Sequence, residues 1–382
     1  MHTASAPRNA RGALWGIGHL TLLLLFCLMP TLAAWAQKAL RLTEVSGFPD
    51  DEAGYALGVS ACFAGVIGDE VIMAGGCNFP DNSGVKRYYD GIYAAQWRGD
   101  TLRWRRIGTL PEPTAYGATV ALGDRLLFIG GNNSRHSMRS VMALTLNAQG
   151  QAVLTSLPPL PVTMDNGAAA CTQGKLFVFG GNQDGKPAKA LWSLHLQRPK
   201  ARWTRHKGPA GQPRVQPVAV ALGARLFVWG GYHADGDRSL VATDGWAYDL
   251  SRNRWSRLSA PTDRAGATLT LSGATGCATT GHLVVCLGGV NKDIFADAIS
   301  GKYRLVDKAD YLKQSVAWYR FNQTPLLFDT RTCNWQPAPA PDARLARAGA
   351  QLVACGDGQL LYIGGELKPG VRTPQVLRIQ LQ

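Results

Sequence analysis

Short runs of apolar residues, each closed by a pair of glycines, recur along the chain: Leu126-Leu127-Phe128-Ile129 leads into Gly130-Gly131, and Leu176-Phe177-Val178-Phe179 into Gly180-Gly181. Further pairs stand at Gly75-Gly76, Gly230-Gly231, Gly288-Gly289 and Gly364-Gly365. Such runs are too short for helices, and bounded by turn formers they have the length of buried strands. A strand of small residues precedes each run, Gly117 to Leu122 before Arg125 to Gly130 and Gly167 to Thr172 before Lys175 to Gly180. From the start of that inner strand to the first glycine of the pair is 13 residues in both modules, and Pro217 to Gly230 repeats the spacing. A third strand follows, as in Gly245-Trp246-Ala247-Tyr248-Asp249, and a fourth starts near Trp104, Trp203, Trp255 or Trp335. Each module predicts a four-stranded antiparallel meander, and the glycine pairs count six of them.

Strand repeats of roughly 50 residues suggest an all-β fold, a kelch-type β-propeller of six blades forming one domain over residues 37–382. The 44 glycines and 21 prolines are spread through the chain, as tight turns between short strands require. The tryptophans are expected to pack between blades, which need large apolar fillers, rather than to hold a ligand. The last module runs out after its third strand, Val376 to Leu381. The segment Leu40-Arg41-Leu42-Thr43-Glu44-Val45, followed by Gly47-Phe48-Pro49, resembles Arg106-Ile107-Gly108-Thr109-Leu110-Pro111 and is expected to complete that blade. A ring closed in this way leaves no edge open to aggregation. In the fifth module, residues 291–323 are too long for a turn and mix charges with Phe295, Tyr303, Tyr311, Trp318 and Tyr319. One or two short helices over one face are expected there, as a functional lid or as decoration.

Residues 1–36 differ from the rest. Arg8 and Arg11 precede an apolar run from Leu14 to about Leu28, and Ala34-Trp35-Ala36 follows, the pattern of a secretory signal peptide. No later segment has the ~20 consecutive apolar residues of a spanning helix, so a periplasmic or secreted protein without stable membrane insertion is expected. The formal net charge is +14. Without a run of Lys and Arg interleaved with aromatics, that charge favours a small acidic substrate, or plain solubility, over nucleic acid. Cys277 and Cys286 flank Gly281-His282, which would set them opposite each other in a hairpin; a disulfide and two buried thiols both remain open. The histidines beyond residue 36 (His136, His195, His206, His233 and His282) have no spacing that organises a metal, and no cofactor is expected.

In a meander the start of the first strand and the end of the second share one end of the sheet. Residues after the glycine pairs (Asn78, Asn132, Asn133, Asn182, Tyr232, Asn291, Glu366) should therefore meet residues before the inner strands (Tyr116, Asn166, Gln216, Ser272, Arg347) at one mouth. Amides and hydroxyls dominate this set, which suits a polyhydroxylated ligand, although an Asn after Gly-Gly also satisfies turn geometry by itself. The last module adds charge in Gly364-Gly365-Glu366-Leu367-Lys368-Pro369-Gly370-Val371-Arg372. A partly desolvated Glu366 would have its pKa moved toward neutrality, and Arg372 would return across the loop to grip a carboxylate; a surface ion pair is the plainer alternative.

Two stretches carry a family resemblance. They run from Cys62-Phe63-Ala64-Gly65 through Gly75-Gly76 to Ala115-Tyr116-Gly117, and from Gly288-Gly289-Val290-Asn291-Lys292-Asp293-Ile294-Phe295 through Gly365-Glu366 to Arg372. In them the chain resembles the N-acetylneuraminate epimerases, or sialic acid mutarotases, and more closely their cyclically permuted relatives, because the Phe-Ala-Gly block precedes the Gly-Glu block. The resemblance implies an isomerase that interconverts sugar anomers without a cofactor, with Glu366 as acid/base and Arg372 as its partner in the funnel. Arg372 would hold the C1 carboxylate of a small acidic sugar, and Asn291 with Tyr116 would orient hydroxyls or the acetamido group. Asn133 and Asn166 complete the expected substrate-binding set. A carbohydrate-binding or protein-interaction propeller without catalysis is the alternative.

Overall fold

The structure is a computed structural model, and it describes residues 40–81, 83–279 and 281–381. The stretch read as a signal peptide lies outside the described residues. The apolar runs are strands, Glu70–Ala74, Leu126–Ile129, Lys175–Phe179, Arg225–His233, Leu283–Gly288 and Gln359–Ile363, each second in a four-stranded antiparallel path. Their side chains are buried on both faces, which explains why they read as continuous apolar runs rather than as alternation. The inner strands before them are Phe63–Ile67, Ala118–Ala121, Ala168–Thr172, Val215–Leu222, Ala274–Ala278 and Gln351–Gly356. The fold is mostly β, with many four-stranded antiparallel sheets consistent with a propeller.

Leu40–Val45 supplies the outer strand of the last sheet as expected: it pairs antiparallel with Val376–Leu381, Leu40 opposite Leu381 and Val45 opposite Val376. The fourth-strand tryptophans pack between sheets. Trp203, Trp255 and Trp335 donate their indole N–H groups to Pro158 O, Lys207 O and Ser259 O at 2.9, 2.8 and 3.0 Å, each a carbonyl of the preceding module.

At or just before the start of each inner strand the backbone turns left-handed, at Ala61, Tyr116, Asn166, Gln216, Gly273 and Gly349, with φ between 53° and 70°. The amide of each donates to the carbonyl of the one before it: Tyr116 to Ala61, Asn166 to Tyr116, Gln216 to Asn166, Gly273 to Gln216, Gly349 to Gly273, and Ala61 back to Gly349, at 2.8–3.1 Å. The six hydrogen bonds form a circuit that returns to its start. The glycine pairs make a second set of links between sheets. At Gly130 (φ 58°) a Cβ would stand 2.3 Å from Met164 O, and at Gly364 (φ 59°) 2.6 Å from Val59 O. The N–H of the second glycine donates to the same carbonyl, Gly131 to Met164 and Gly365 to Val59, at 2.8 and 2.9 Å. The pair is required because a backbone carbonyl from the next sheet occupies the place of a side chain.

Two expectations are corrected. Cys277 and Cys286 are not opposed: Cys277 faces Val285 and Cys286 faces Gly276, because the hairpin centres on Gly281 rather than between Gly281 and His282. That half-residue offset turns the two thiols to opposite faces of the sheet, and both are free. Ser272 and Arg347 precede the left-handed positions and point away from the mouth. Ser272 is buried with its hydroxyl on Gly231 O, and Arg347 is buried with its guanidinium on Gly364 O and Gln375 O. Gly273 and Gly349 stand at the mouth instead.

The insertion contains helix α1 (Lys292–Ile299), helix α2 (Lys308–Tyr311) and a 3-10 turn, Val316–Tyr319. Tyr319 and Phe321 pack on Ala348, the neighbour of Gly349 in the circuit.

Candidate active site

Glu366 and Arg372 face each other across a short hairpin, Glu366–Lys368 against Val371–Arg372, as cross-strand partners in register. The spacing of six residues thus brings acid and base together. The Arg372 guanidinium is in ionic contact with the Glu366 carboxylate and lies 5.3 Å from the Phe79 ring centre. Its side chain is 3% exposed while that of Glu366 keeps 23%, so the acid, not the base, is the member open to a ligand. The Glu366 backbone is fixed to Ala348 by reciprocal hydrogen bonds of 2.7 and 2.9 Å. Burial pushes the Glu366 carboxyl above its ordinary value; Arg372, Lys86 and the Gly370 amide oppose the rise without cancelling it.

The residues of the circuit and the first residues of the inner strands line a cavity of about 200 Å³, with Tyr116, Asn166, Gln216 and Gln351 among its polar side chains. Asn166 is clamped at both ends of its amide. Its Nδ2 donates to Asp165 at 2.7 Å and its Oδ1 accepts from Gln216 Nε2 at 2.9 Å. Asp165, 4% exposed, also accepts from Asn182 Nδ2 at 2.8 Å and from the Ser137 hydroxyl. These bonds fix which face of each amide is presented to the cavity. The Tyr116 phenol accepts a hydrogen bond from Lys86 Nζ at 3.1 Å. Burial and the neighbouring Cys77 drive its pKa far up, with Arg372 opposing and Glu366 adding, so it stays a neutral phenol. Phe79, in contact with both Lys86 and Arg372, links Tyr116 to the Glu366–Arg372 pair.

Of the expected site residues, Glu366, Arg372, Tyr116 and Asn166 are brought together. Asn291 stands beside Glu366 on the border of a smaller cavity, about 40 Å³, together with Tyr311 and Tyr319. Its Oδ1, however, is the cap of α1 and accepts from the Asp293 and Ile294 amides at 3.0 and 3.1 Å. Asn133 does not join the site. Its Oδ1 accepts from the Arg135 and His136 amides and its Nδ2 donates to Glu112 and Pro113 O, so the turn after its glycine pair uses the whole amide. Asn78 is likewise buried on Gly54 O, Gly58 O and Tyr89.

Sequence reasoning missed Lys86, Phe79 and Asp165. Phe79 and Lys86 belong to the loop after the first glycine pair, which is longer than the loops of the second, third and sixth modules, and that extra length was the available signal. Asp165 directly precedes Asn166. The insertion covers the Glu366 hairpin: Lys368 Nζ donates to Leu312 O at 3.2 Å and Gln314 O at 2.7 Å, and Tyr311 and Tyr319 border the same cavity as Glu366. At the far side of α1, Phe295 meets Tyr232 edge-on at 5.0 Å.

A family model described as N-acetylneuraminate epimerase matches residues 157–382. Relatives named N-acetylneuraminate epimerase include one from Yersinia pestis (strain Pestoides F), 30% identical over 231 residues, covering 57% of this chain and 56% of the relative. One from Haemophilus influenzae (strain 86-028NP) is 31% identical over 228 residues, covering 57% of each chain. One from Brucella melitensis is 26% identical over 240 residues, covering 59% of each. The match thus spans between half and two thirds of the length of these curated relatives. A solved structure described as that of YjhT aligns with TM-score 0.49 and 25% identity over 59% of this chain and 66% of that one.

Proposed function

The chain belongs to the N-acetylneuraminate epimerase family, whose model matches more than half of it, and we propose that it accelerates the interconversion of sugar anomers, with N-acetylneuraminate as substrate. One observation carries this reading: a glutamate with a raised pKa, held by a buried arginine, is linked through Phe79 and Lys86 to Tyr116, which lines a cavity together with oriented amides. Anomer exchange needs a group that takes the proton of the anomeric hydroxyl and returns one to the ring oxygen. The C–O bond of the ring breaks, the carbonyl carbon turns its other face, and the ring closes with the two proton transfers reversed. Glu366 performs both transfers with one proton, so no cofactor is consumed. Arg372 keeps the carboxylate oriented, and Tyr116 and Asn166 hold the sugar's hydroxyl and acetamido groups.

The six sheets are proposed as the blades of a closed kelch-type propeller, which the hydrogen-bond circuit and the Leu40–Val45 strand support. A cyclic permutation accounts for the order of the two motif blocks and for matches of little more than half of either chain, since a linear alignment follows the chain only to the cut. The insertion serves as the lid of the site, supported by its contacts to the Glu366 hairpin. Export to the periplasm is proposed from the sequence of residues 1–36.

The test is exchange between N-acetylneuraminate anomers, followed by NMR. The Glu366→Gln variant should lose about 10²–10⁴-fold of the accelerated rate with its fold intact. Wild-type exchange in that variant would remove Glu366 from the mechanism. A wild-type protein that binds the sugar without accelerating exchange would establish a carbohydrate-binding propeller instead.

A further inference from the structure

The charges around Glu366 do not balance. Two cations, Arg372 and Lys86, approach the two sides of the site, and the Phe79 ring lies between them, 5.3 Å from Arg372 Cζ and 5.7 Å from Lys86 Nζ. Arg372 is already committed. It is the ionic partner of Glu366, and although its Nε makes no hydrogen bond that atom is itself buried, so the guanidinium offers a ligand's carboxylate little accessible surface. Lys86 has no carboxylate partner among the described residues. Its ammonium is held by the Tyr116 phenol at 3.1 Å and by the faces of Tyr116, Tyr88 and Phe79 at 4.9, 5.9 and 5.7 Å. The other acid at this end, Asp165, is occupied by Ser137, Asn166 and Asn182. The site therefore contains one positive charge more than it can neutralise, resting among three rings and one hydrogen bond.

We propose that Lys86 is the residue that receives the substrate's carboxylate, in the position the sequence assigns to Arg372, and that it selects sugars bearing a carboxylate on the anomeric carbon. The inference rests on the mutarotase reading of the same site. Geometry supports the placement: Lys86 contacts the phenol of Tyr116, which lines the axial cavity, so a carboxylate on Lys86 leaves the adjoining anomeric centre between Tyr116 and Glu366. An ammonium at the end of a flexible stem can follow that carboxylate through ring opening, whereas a guanidinium locked to Glu366 cannot. Lys86 also lends its charge to Glu366, one of the influences that oppose the rise of the Glu366 pKa. A bound carboxylate would cancel that influence and raise the proton affinity of Glu366 when substrate arrives.

The experiment compares wild type, Lys86→Met and Lys86→Arg with N-acetylneuraminate and with its C1 carboxamide, reading binding by calorimetry and exchange by NMR. Methionine keeps the apolar stem among the three rings, and a melting curve checks the fold. Lys86→Met should weaken binding and raise KM for the acid by about ten- to a hundredfold, with the loss in KM rather than kcat. The carboxamide should bind both proteins alike, and Lys86→Arg should recover most of the affinity. Equal losses for acid and carboxamide, or an unchanged KM for the acid, would overturn the role of Lys86 and leave the mutarotase reading standing. Acid-selective binding that depends on Lys86, in a wild-type protein that does not accelerate exchange, would support Lys86 and sink the mutarotase reading.

Discussion

Two glycines with nearly the same backbone differ only in what surrounds them, and exchanging each for alanine separates conformational cost from contact cost. Gly68 (φ 58°) has nothing within 4 Å of a Cβ, whereas at Gly364 (φ 59°) a Cβ would stand 2.6 Å from Val59 O. At Gly68 the alanine meets the left-handed penalty, about 1–2 kcal/mol. The more restricted unfolded chain returns about 0.4–1 kcal/mol, so roughly 0.5–1 kcal/mol is lost. At Gly364 the same balance applies, and the carbonyl of Val59 must also move. That movement breaks its 2.9 Å hydrogen bond from Gly365 N–H. Leaving a buried polar group unpaired adds about 1–3 kcal/mol, for a total near 2–4 kcal/mol. For a unit of this size each kcal/mol lowers Tm by roughly 1.5 °C, so Gly68→Ala should melt within about 1.5 °C of wild type and Gly364→Ala roughly 3–6 °C below it. Denaturant titration checks the difference at one temperature. Gly364 is two residues from Glu366, so anomer exchange should fall in that variant and not in the other. Equal destabilisation of the two would refute the claim that the glycine pairs exist to admit a neighbouring carbonyl.

The raised pKa of Glu366 predicts the acid limb of the rate profile. The ionised form takes the hydroxyl proton, so kcat/KM should fall as pH drops, with a midpoint above the ordinary carboxylate range. Arg372→Met removes the charge that most opposes the rise, so its limb should move to higher pH; a shift to lower pH would contradict the assignment. Lys368→Met should release the insertion from the Glu366 hairpin, raising amide hydrogen exchange over residues 310–318 while the melt moves by no more than roughly 2 °C. Unchanged protection would mean that the aromatic packing of Tyr311, Trp318 and Tyr319 holds the insertion unaided.

The parts of the fold that repeat were open to reading from sequence. Glycine pairs, apolar runs and fourth-strand tryptophans each answer one contact made over and over, and the outer strand Leu40–Val45 was found by its likeness to the end of another module. Glu366 and Arg372 were legible for a different reason, since a hairpin of seven residues brings them together locally. Lys86 was not, because its surroundings come from separate loops: Phe79 and Tyr88 from its own module and Tyr116 from the next. Asparagines were the least transparent. Asn133 and Asn166 look alike in sequence, but one sits after a glycine pair and is used up by its turn, while the other occupies a left-handed node with its amide turned to the cavity. The errors at Ser272 and Arg347 came from register, where a shift of one or two residues changes the direction of a side chain completely.

The circuit of six amides has an evolutionary consequence. It is made of main-chain atoms only, so the circuit itself does not depend on which side chains its nodes carry. Three are filled, by Tyr116, Asn166 and Gln216, and three are blank, at Ala61, Gly273 and Gly349. Each filling has only to tolerate a left-handed backbone, which asparagine and glycine do most readily. New ligand preferences can therefore arise one node at a time without breaking the circuit, and asparagine installed at position 273 or 349 is the simplest way to begin redesigning this mouth.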